Sequence, residues 1–270
     1  MRIILAPAKK MKADADGFAP EALPQFIREA EQLKLVLQGM SPGELRALWR
    51  CGDAIARQNV ERLRDMDLRR RLTPALLAYE GIQYQYMAPG VFETGQLRYI
   101  RERLRILSGL YGLLRPFDGV TPYRLEMQAR LSAGGCADLY AFWGSKLADQ
   151  LASETDIVLN LASAEYSRAV KPHLPPSVRF LSCTFGELWE GKVVEKGTLC
   201  KMARGRMVRW LAENQVARPD EIRAFEELGY RYARGYSTEH NIVFLKTAGG
   251  NYYAGSWNQG AGVHPVGQGR

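Results

Sequence analysis

The chain has 270 residues, 46% of them hydrophobic and 24% charged, the composition of an ordinary globular protein with ample chain for a buried core. No run of about 18 apolar residues is present, so no membrane-spanning helix is expected, and the opening Met1-Arg2-Ile3-Ile4-Leu5 reads as a short strand rather than a signal peptide, so a cytoplasmic location is expected. The net charge of +8 favours polyanionic partners.

The spacing predicts a buried strand over residues 2–6, ending at Pro7, then a small-residue loop over 8–19. An amphipathic helix is predicted over 23–37 and is stopped by Gly39. Ser41-Pro42-Gly43-Glu44 carries a cap, a first-turn proline and a carboxylate three residues after the cap, so a second helix starts there and continues through Ile55 and Ala56. Arg62, Arg64, Arg69, Arg70 and Arg71 form a basic run, and Thr73-Pro74 opens another short helix. Residues 97–107 read as a helix on which Arg101 and Arg105 share a face. Further helices are predicted over 139–151, 202–214 and 219–229, with strands over 156–161, 178–183, 230–235 and 241–246. Strands and helices are interspersed without regular βαβ units. The expected fold is therefore mixed α/β, one compact domain over residues 1–247 in an irregular order that is not Rossmann, with a glycine- and aromatic-rich extension over 248–270.

Cys51, Cys136, Cys183 and Cys200 have neither zinc-knuckle nor CxxC spacing, and His173, His240 and His264 have no ligand spacing, so free thiols and neither metal nor cofactor are expected. Phosphate-loop, dinucleotide and nucleophile-elbow motifs are absent. What remains is a set of cations in special backbone settings. Lys9 follows a strand end and a proline, Arg115 and Arg124 flank a Gly/Pro-rich turn, Lys171 precedes Pro172, and Lys201, Arg204 and Arg206 fall where a strand enters a helix. A helix N-terminus supplemented by such cations is suited to phosphate. Tyr123 and Tyr166 suit a polar cleft, whereas Phe142 and Trp143 suit the core. Asp118, Glu126 and Glu165 are the candidate proton-transfer groups, or else they orient the arginines. The turn containing Gly39, Ser41 and Gly43 reads as a capped αα-hairpin or as an element offering backbone N–H groups to phosphates.

Five segments carry a resemblance: Ile3-Ile4-Leu5-Ala6-Pro7-Ala8-Lys9; Leu107-Ser108-Gly109-Leu110-Tyr111-Gly112-Leu113-Leu114-Arg115-Pro116-Phe117-Asp118, continuing to Met127; Leu139-Tyr140-Ala141-Phe142-Trp143-Gly144; Val158-Leu159-Asn160-Leu161-Ala162-Ser163 with Tyr166 and Val170-Lys171-Pro172; and Lys201-Met202-Ala203-Arg204-Gly205-Arg206-Met207. In this order, over roughly residues 1–246, they resemble the motifs of the YaaA family of bacterial peroxide-stress proteins. The resemblance implies a compact α/β fold peculiar to the family, a link to oxidative stress or DNA repair, and a helix-hairpin-helix element near Gly39–Gly43. The chain departs from the family pattern at Ala6, Lys12, Glu80, Ile82 and Ala164. Two main readings follow. One is a basic cleft that grips DNA phosphates through Lys9, Arg115, Arg124, Lys171, Lys201, Arg204 and Arg206. The other is an enzyme for a small anionic or heterocyclic substrate, nucleobase- or nucleotide-like, using Tyr123, Tyr166 and one of the three carboxylates. A third is an interaction module acting through the basic helices. The oligomeric state stays open.

Overall fold

Ile3, Ile4 and Leu5 are all fully buried, as in a strand paired on both edges and covered on both faces. In the computed structural model, which describes residues 1–13 and 18–247, their strand Arg2–Leu5 lies inside an eight-stranded sheet. It pairs in parallel with Leu104–Ser108 on one side, Ile3 opposite Leu104, and with Ile157–Asn160 on the other, Ile4 opposite Asn160. Arg179–Trp189 and then Asn241–Lys246 extend the parallel sheet beyond Ile157–Asn160. Antiparallel strands close both ends, Gly112–Leu114 against Leu104–Ser108 and Tyr230–Tyr232 against Asn241–Lys246. The five parallel strands, numbered along the chain, lie in the order 2-1-3-4-5 and not in the Rossmann order. The connection from Ile157–Asn160 to the next strand holds only the short helix Ala164–Ser167 and the 3-10 turn Lys171–His173, which accounts for the irregular alternation read from the sequence.

Several boundaries differ from the sequence expectations. The helix expected over 97–107 spans Thr94–Arg103, opened by a capping box between Glu93 and Gln96, and the chain then becomes the strand Leu104–Ser108. All five strand residues are buried, so pairing with the first strand overrides the helical period. Arg105 therefore shares no helix face with Arg101; it is buried and ion-paired with Glu154, itself paired with Arg2. The second predicted helix is two, Pro42–Trp49 and Asp53–Arg64, separated where Arg50 adopts φ 45°. The helix over 139–151 is likewise two, Leu139–Trp143 and Lys146–Glu154, broken at Gly144 with φ 49°. Thr73–Pro74 pairs as a short strand with Gly119–Val120 before the helix Ala75–Ala78 begins. The helix expected over 219–229 is only the 3-10 turn Glu221–Ala224, and the strand over 230–235 ends at Tyr232. The strand expected over 178–183 continues to Trp189 and turns through Glu190 and Gly191, both at positive φ, into Lys192–Val194. Residues 10 and 11, expected in a loop, form a short strand with Tyr79–Glu80. The extension over 248–270 lies outside the described residues.

The long helix begins at Gly197, earlier than expected, and runs to Glu213. It packs against the helix Ile82–Met87 with Gly205 seated on the Gln83 carbonyl, where any Cβ would overlap it. This close approach brings Lys201, Arg204 and Gln83 to the end of the first strand.

Candidate functional site

Parallel strands with neighbours on both sides leave a crevice at their carboxyl ends where the chain changes direction across the sheet. Here the first strand connects to the strand on one side, and the third parallel strand lies on its other side. The segments leaving Leu5 and Asn160 form the walls of the crevice. The first wall is fixed by Ala6, whose carbonyl accepts from Gln83 Nε2 at 2.8 Å and Tyr84 Oη at 3.1 Å. The second is fixed by Asn160, whose Oδ1 accepts from the Ala162 N–H at 3.0 Å, and by the Leu161 N–H donating to the Ile4 carbonyl.

A partly enclosed cavity of about 350 Å³ occupies this crevice. Lys9, Arg124, Lys201 and Arg204 bring positive charge to it, Glu80, Glu126 and Glu165 bring carboxylates, and Tyr123 and Tyr166 bring buried rings. Lys9 Nζ lies 3.0 Å from Glu126 Oε2, and Arg124 Nη2 lies 3.7 Å from Glu126 Oε1 and 3.4 Å from the Trp49 carbonyl. Arg204 Nη2 reaches Glu195 at 3.2 Å, and Lys201 has no ion-pair partner among the described residues. The side chains of Arg124 and Arg204 are only 11% and 13% exposed, and the Nε–H of each is buried without an acceptor among the described residues. Such a group loses its hydration and gains nothing in return, and the two guanidinium side chains that carry these groups both line this cavity.

Behind Tyr123, which lines the cavity, runs a hydrogen-bonded chain. Ser108 Oγ accepts from the Tyr111 N–H at 2.8 Å and lies 2.6 Å from Tyr123 Oη, which lies 2.9 Å from Tyr79 Oη. Burial raises the pKa of Tyr79, Tyr123 and Tyr166, so these phenols stay protonated as hydrogen-bond partners. Glu165 differs from an ordinary glutamate. Burial pushes its carboxyl up and the Glu126 charge adds to this, while the Gln128 N–H, donating to Oε1 at 3.3 Å, opposes both. A carboxyl so poised suits proton transfer.

Of the residues singled out in the sequence, Lys9, Tyr123, Arg124, Glu126, Glu165, Tyr166, Lys201 and Arg204 come together. The others do not. Arg115 is exposed and away from the cavity; its backbone N–H donates to Asp118 Oδ2 at 2.8 Å. Asp118 is buried under that turn, where burial pushes its carboxyl up to about 6. Lys171 sits in a 3-10 turn with its ammonium 5.7 Å from the Phe180 ring centroid. Arg206 pairs with Glu227 at 2.9 Å and Glu213 at 3.5 Å. Because the long helix starts at Gly197, Lys201 and Arg204 approach from its flank and not as companions to free N-terminal N–H groups. At the hairpin, the N–H groups of Gly39 and Met40 bond to carbonyls of the preceding helix, and those of Ser41 and Glu44 are held in the capping box. Pro42 has no N–H, so among Gly39–Glu44 only Gly43 has an N–H outside these bonds, and the turn is the capped start of the helix Pro42–Trp49. Sequence reasoning missed Gln83 and Lys10 as wall residues; Lys10 pairs with Glu80 at 3.0 Å. It also missed that Ala6, Glu80 and Ile82, noted there only as departures from the family pattern, line the cavity.

Among the described residues, no group of three His, Cys, Asp or Glu side chains is placed to hold a metal ion, and no helix is long and apolar enough to cross a membrane. The family model for "Peroxide stress protein YaaA" matches residues 1–235. A UPF0246 protein of Lachnoclostridium phytofermentans is 49% identical over 246 residues, 91% of this chain and 96% of its own length. UPF0246 proteins of Agathobacter rectalis and Pediococcus pentosaceus are 48% and 46% identical, the matches covering 90% and 91% of this chain and 98% of each relative. On the breadth of these matches, the chain belongs to the YaaA peroxide stress protein family.

Proposed function

We propose that the cavity at the sheet's crevice binds a small, anionic, heterocycle-bearing ligand of nucleotide type, and that Glu165 serves it as proton acceptor or donor. The side chains of Arg124 and Arg204 carry this reading, because both line the same cavity, each is only about a tenth exposed, and each keeps a buried Nε–H with no acceptor among the described residues. The volume, about 350 Å³, suits a small molecule better than a duplex. Lys201 and Arg204 would hold the anionic group, Tyr123 and Tyr166 the planar group, and Glu126 would keep Lys9 and Arg124 in position. Calorimetric titration of the protein with inorganic phosphate, AMP and GMP tests the reading. We expect at least one nucleotide to bind below millimolar concentration, and Arg204→Ala to weaken it about tenfold or more, roughly 1.4 kcal/mol. No binding by wild type, or equal binding by the variant, overturns it.

A second reading, a grip on DNA phosphates, draws support from the net charge of +8 and from the exposed lysines Lys9 and Lys10 at the cavity mouth. It receives less support from the site, since Arg115, Lys171 and Arg206 stand apart from the cavity. A salt series separates the two readings: a DNA grip gives an affinity falling steeply with salt and still measurable near about 150 mM, whereas incidental charge gives none there.

A further inference from the structure

The strand Arg179–Trp189 outruns its parallel neighbours. Its pairing with Ile157–Asn160 ends at Ser182, opposite Asn160, and its pairing with Asn241–Lys246 ends at Gly186, opposite Leu245. Beyond Gly186 its strand partner is Lys192–Val194, reached through the two-residue turn at Glu190 and Gly191. The period of two in a strand fixes the side on which that returning arm lies. The Ser182 N–H donates to the His240 carbonyl, so the backbone groups of residues 182, 184 and 186 face Asn241–Lys246, and those of 185, 187 and 189 face the other way. The Phe185 carbonyl accordingly accepts from the Cys200 thiol of the long helix at 3.1 Å. Trp189 and Lys192, which flank the two-residue turn, form the hydrogen-bonded pair on that same edge. The arm Lys192–Val194 therefore lies on the side of Ile157–Asn160, the strand whose end opens into the crevice.

The hairpin is lightly tied to the body of the protein. None of Lys192–Val194 is buried, and Leu188, Trp189 and Val194 are exposed. The two residues that link it to the long helix make different contacts. Lys196 Nζ turns back to Glu187 at 2.6 Å, while Glu195 Oε1 reaches forward to Arg204 Nη2 at 3.2 Å. Arg204 lines the cavity and Glu195 does not, so the pair draws one end of the guanidinium toward the rim. Among the described residues Glu195 is the one carboxylate paired with Arg204, through a single contact, and its side chain is 42% exposed. The cavity's other buried arginine is held differently: its carboxylate, Glu126, lines the cavity and is fixed by Lys9 as well. A single-contact pair whose carboxylate faces water is weak and easily exchanged.

We propose that Glu195 is a built-in counter-anion of the site: in the empty cavity it holds the Arg204 guanidinium at the rim, and an anionic ligand binds by taking that guanidinium over, which releases the hairpin link. Filling the cavity and freeing the hairpin are then one event. The proposal rests on the nucleotide reading of the cavity, and the test separates the two. Full-length wild type, Glu195→Gln, Arg204→Ala and the double variant are titrated calorimetrically with AMP and GMP, and with adenosine and guanosine as their uncharged counterparts. We expect Glu195→Gln to bind the nucleotide about three- to fivefold tighter than wild type, the size of an exposed ion pair. The gain should be absent for the nucleoside and should vanish when Arg204 is replaced as well. A residue that merely positions Arg204 would give the opposite sign. Amide hydrogen exchange over residues 192–198, read by mass spectrometry, should quicken both in Glu195→Gln and in nucleotide-bound wild type. Nucleotide affinity unchanged or weakened in Glu195→Gln, an equal gain for the nucleoside, or exchange that does not quicken on binding overturns the counter-anion. The cavity reading still stands in those cases if wild type binds and Arg204→Ala weakens it. Failure of wild type and Glu195→Gln alike to bind any of the four compounds overturns both.

Discussion

Glu165 and Asp118 both hold their protons more tightly than ordinary carboxylates, for reasons that lead to different experiments. At Glu165 the Glu126 charge adds to burial, so Glu126→Gln removes a like charge and should lower the Glu165 titration midpoint, as read by carboxyl carbon NMR. Asp118 lies outside the cavity, and its consequence is for stability. Burial raises its pKa from 3.8 to about 6, so the folded state binds this proton more tightly than the unfolded state. Its contribution to stability is therefore fully present below about pH 4 and is lost as pH rises through about 6. Asp118→Asn should flatten that part of the pH–stability curve by about 2 kcal/mol, as measured by urea unfolding at pH 4.5 and 7.5. Burial also pushes the Cys183 thiol up to about 12 and Cys200 to about 11, while Cys51 and Cys136 are half-buried. Peroxide or iodoacetamide on the native protein should modify Cys51 and Cys136 first and spare Cys183 and Cys200 until unfolding, which peptide mass mapping reads directly.

Two elements meet at Gly205. The long helix Gly197–Glu213 approaches Ile82–Met87 so closely that Gly205→Ala must push the backbone at Gln83 aside. The expected cost is about 1–3 kcal/mol, with a measurable loss of ligand affinity, because Lys201, Arg204 and Gln83 would separate across the cavity. At the first strand, Glu154 holds Arg105, whose side chain is 7% exposed, so Glu154→Ala leaves a buried charge unpaired and should cost about 3–5 kcal/mol in thermal or urea unfolding. These two contacts also mark where the sequence stopped being legible. The strand Arg2–Leu5 and the capped start at Ser41-Pro42-Gly43-Glu44 were readable because the signal is local: a run of aliphatic residues, or a cap with its carboxylate. Leu104–Ser108 was not, because its pattern matches a helix until the first strand pairs with it. In the site, cations inside ordered motifs were legible as a group, and Lys9, Arg124, Lys201 and Arg204 do share a cavity. Lys171 and Arg206 occur in the same motifs, and only the turn at 171–173 and the partners Glu213 and Glu227 direct them elsewhere.

For the whole molecule, the topology that creates the crevice also sets an order of events during synthesis. The first strand, Arg2–Leu5, is an inner strand whose two neighbours are Leu104–Ser108 and Ile157–Asn160. Its hydrogen-bond groups and its three buried aliphatic side chains therefore lack their full set of native partners until Asn160, more than half of the chain, has left the ribosome. At about 5–20 residues per second, that wait is about 10–30 s. Throughout it, Ile3-Ile4-Leu5 remains a short adhesive segment available to other nascent chains or to chaperones. The crevice, formed where this strand ends, is accordingly among the last features of the fold to be assembled.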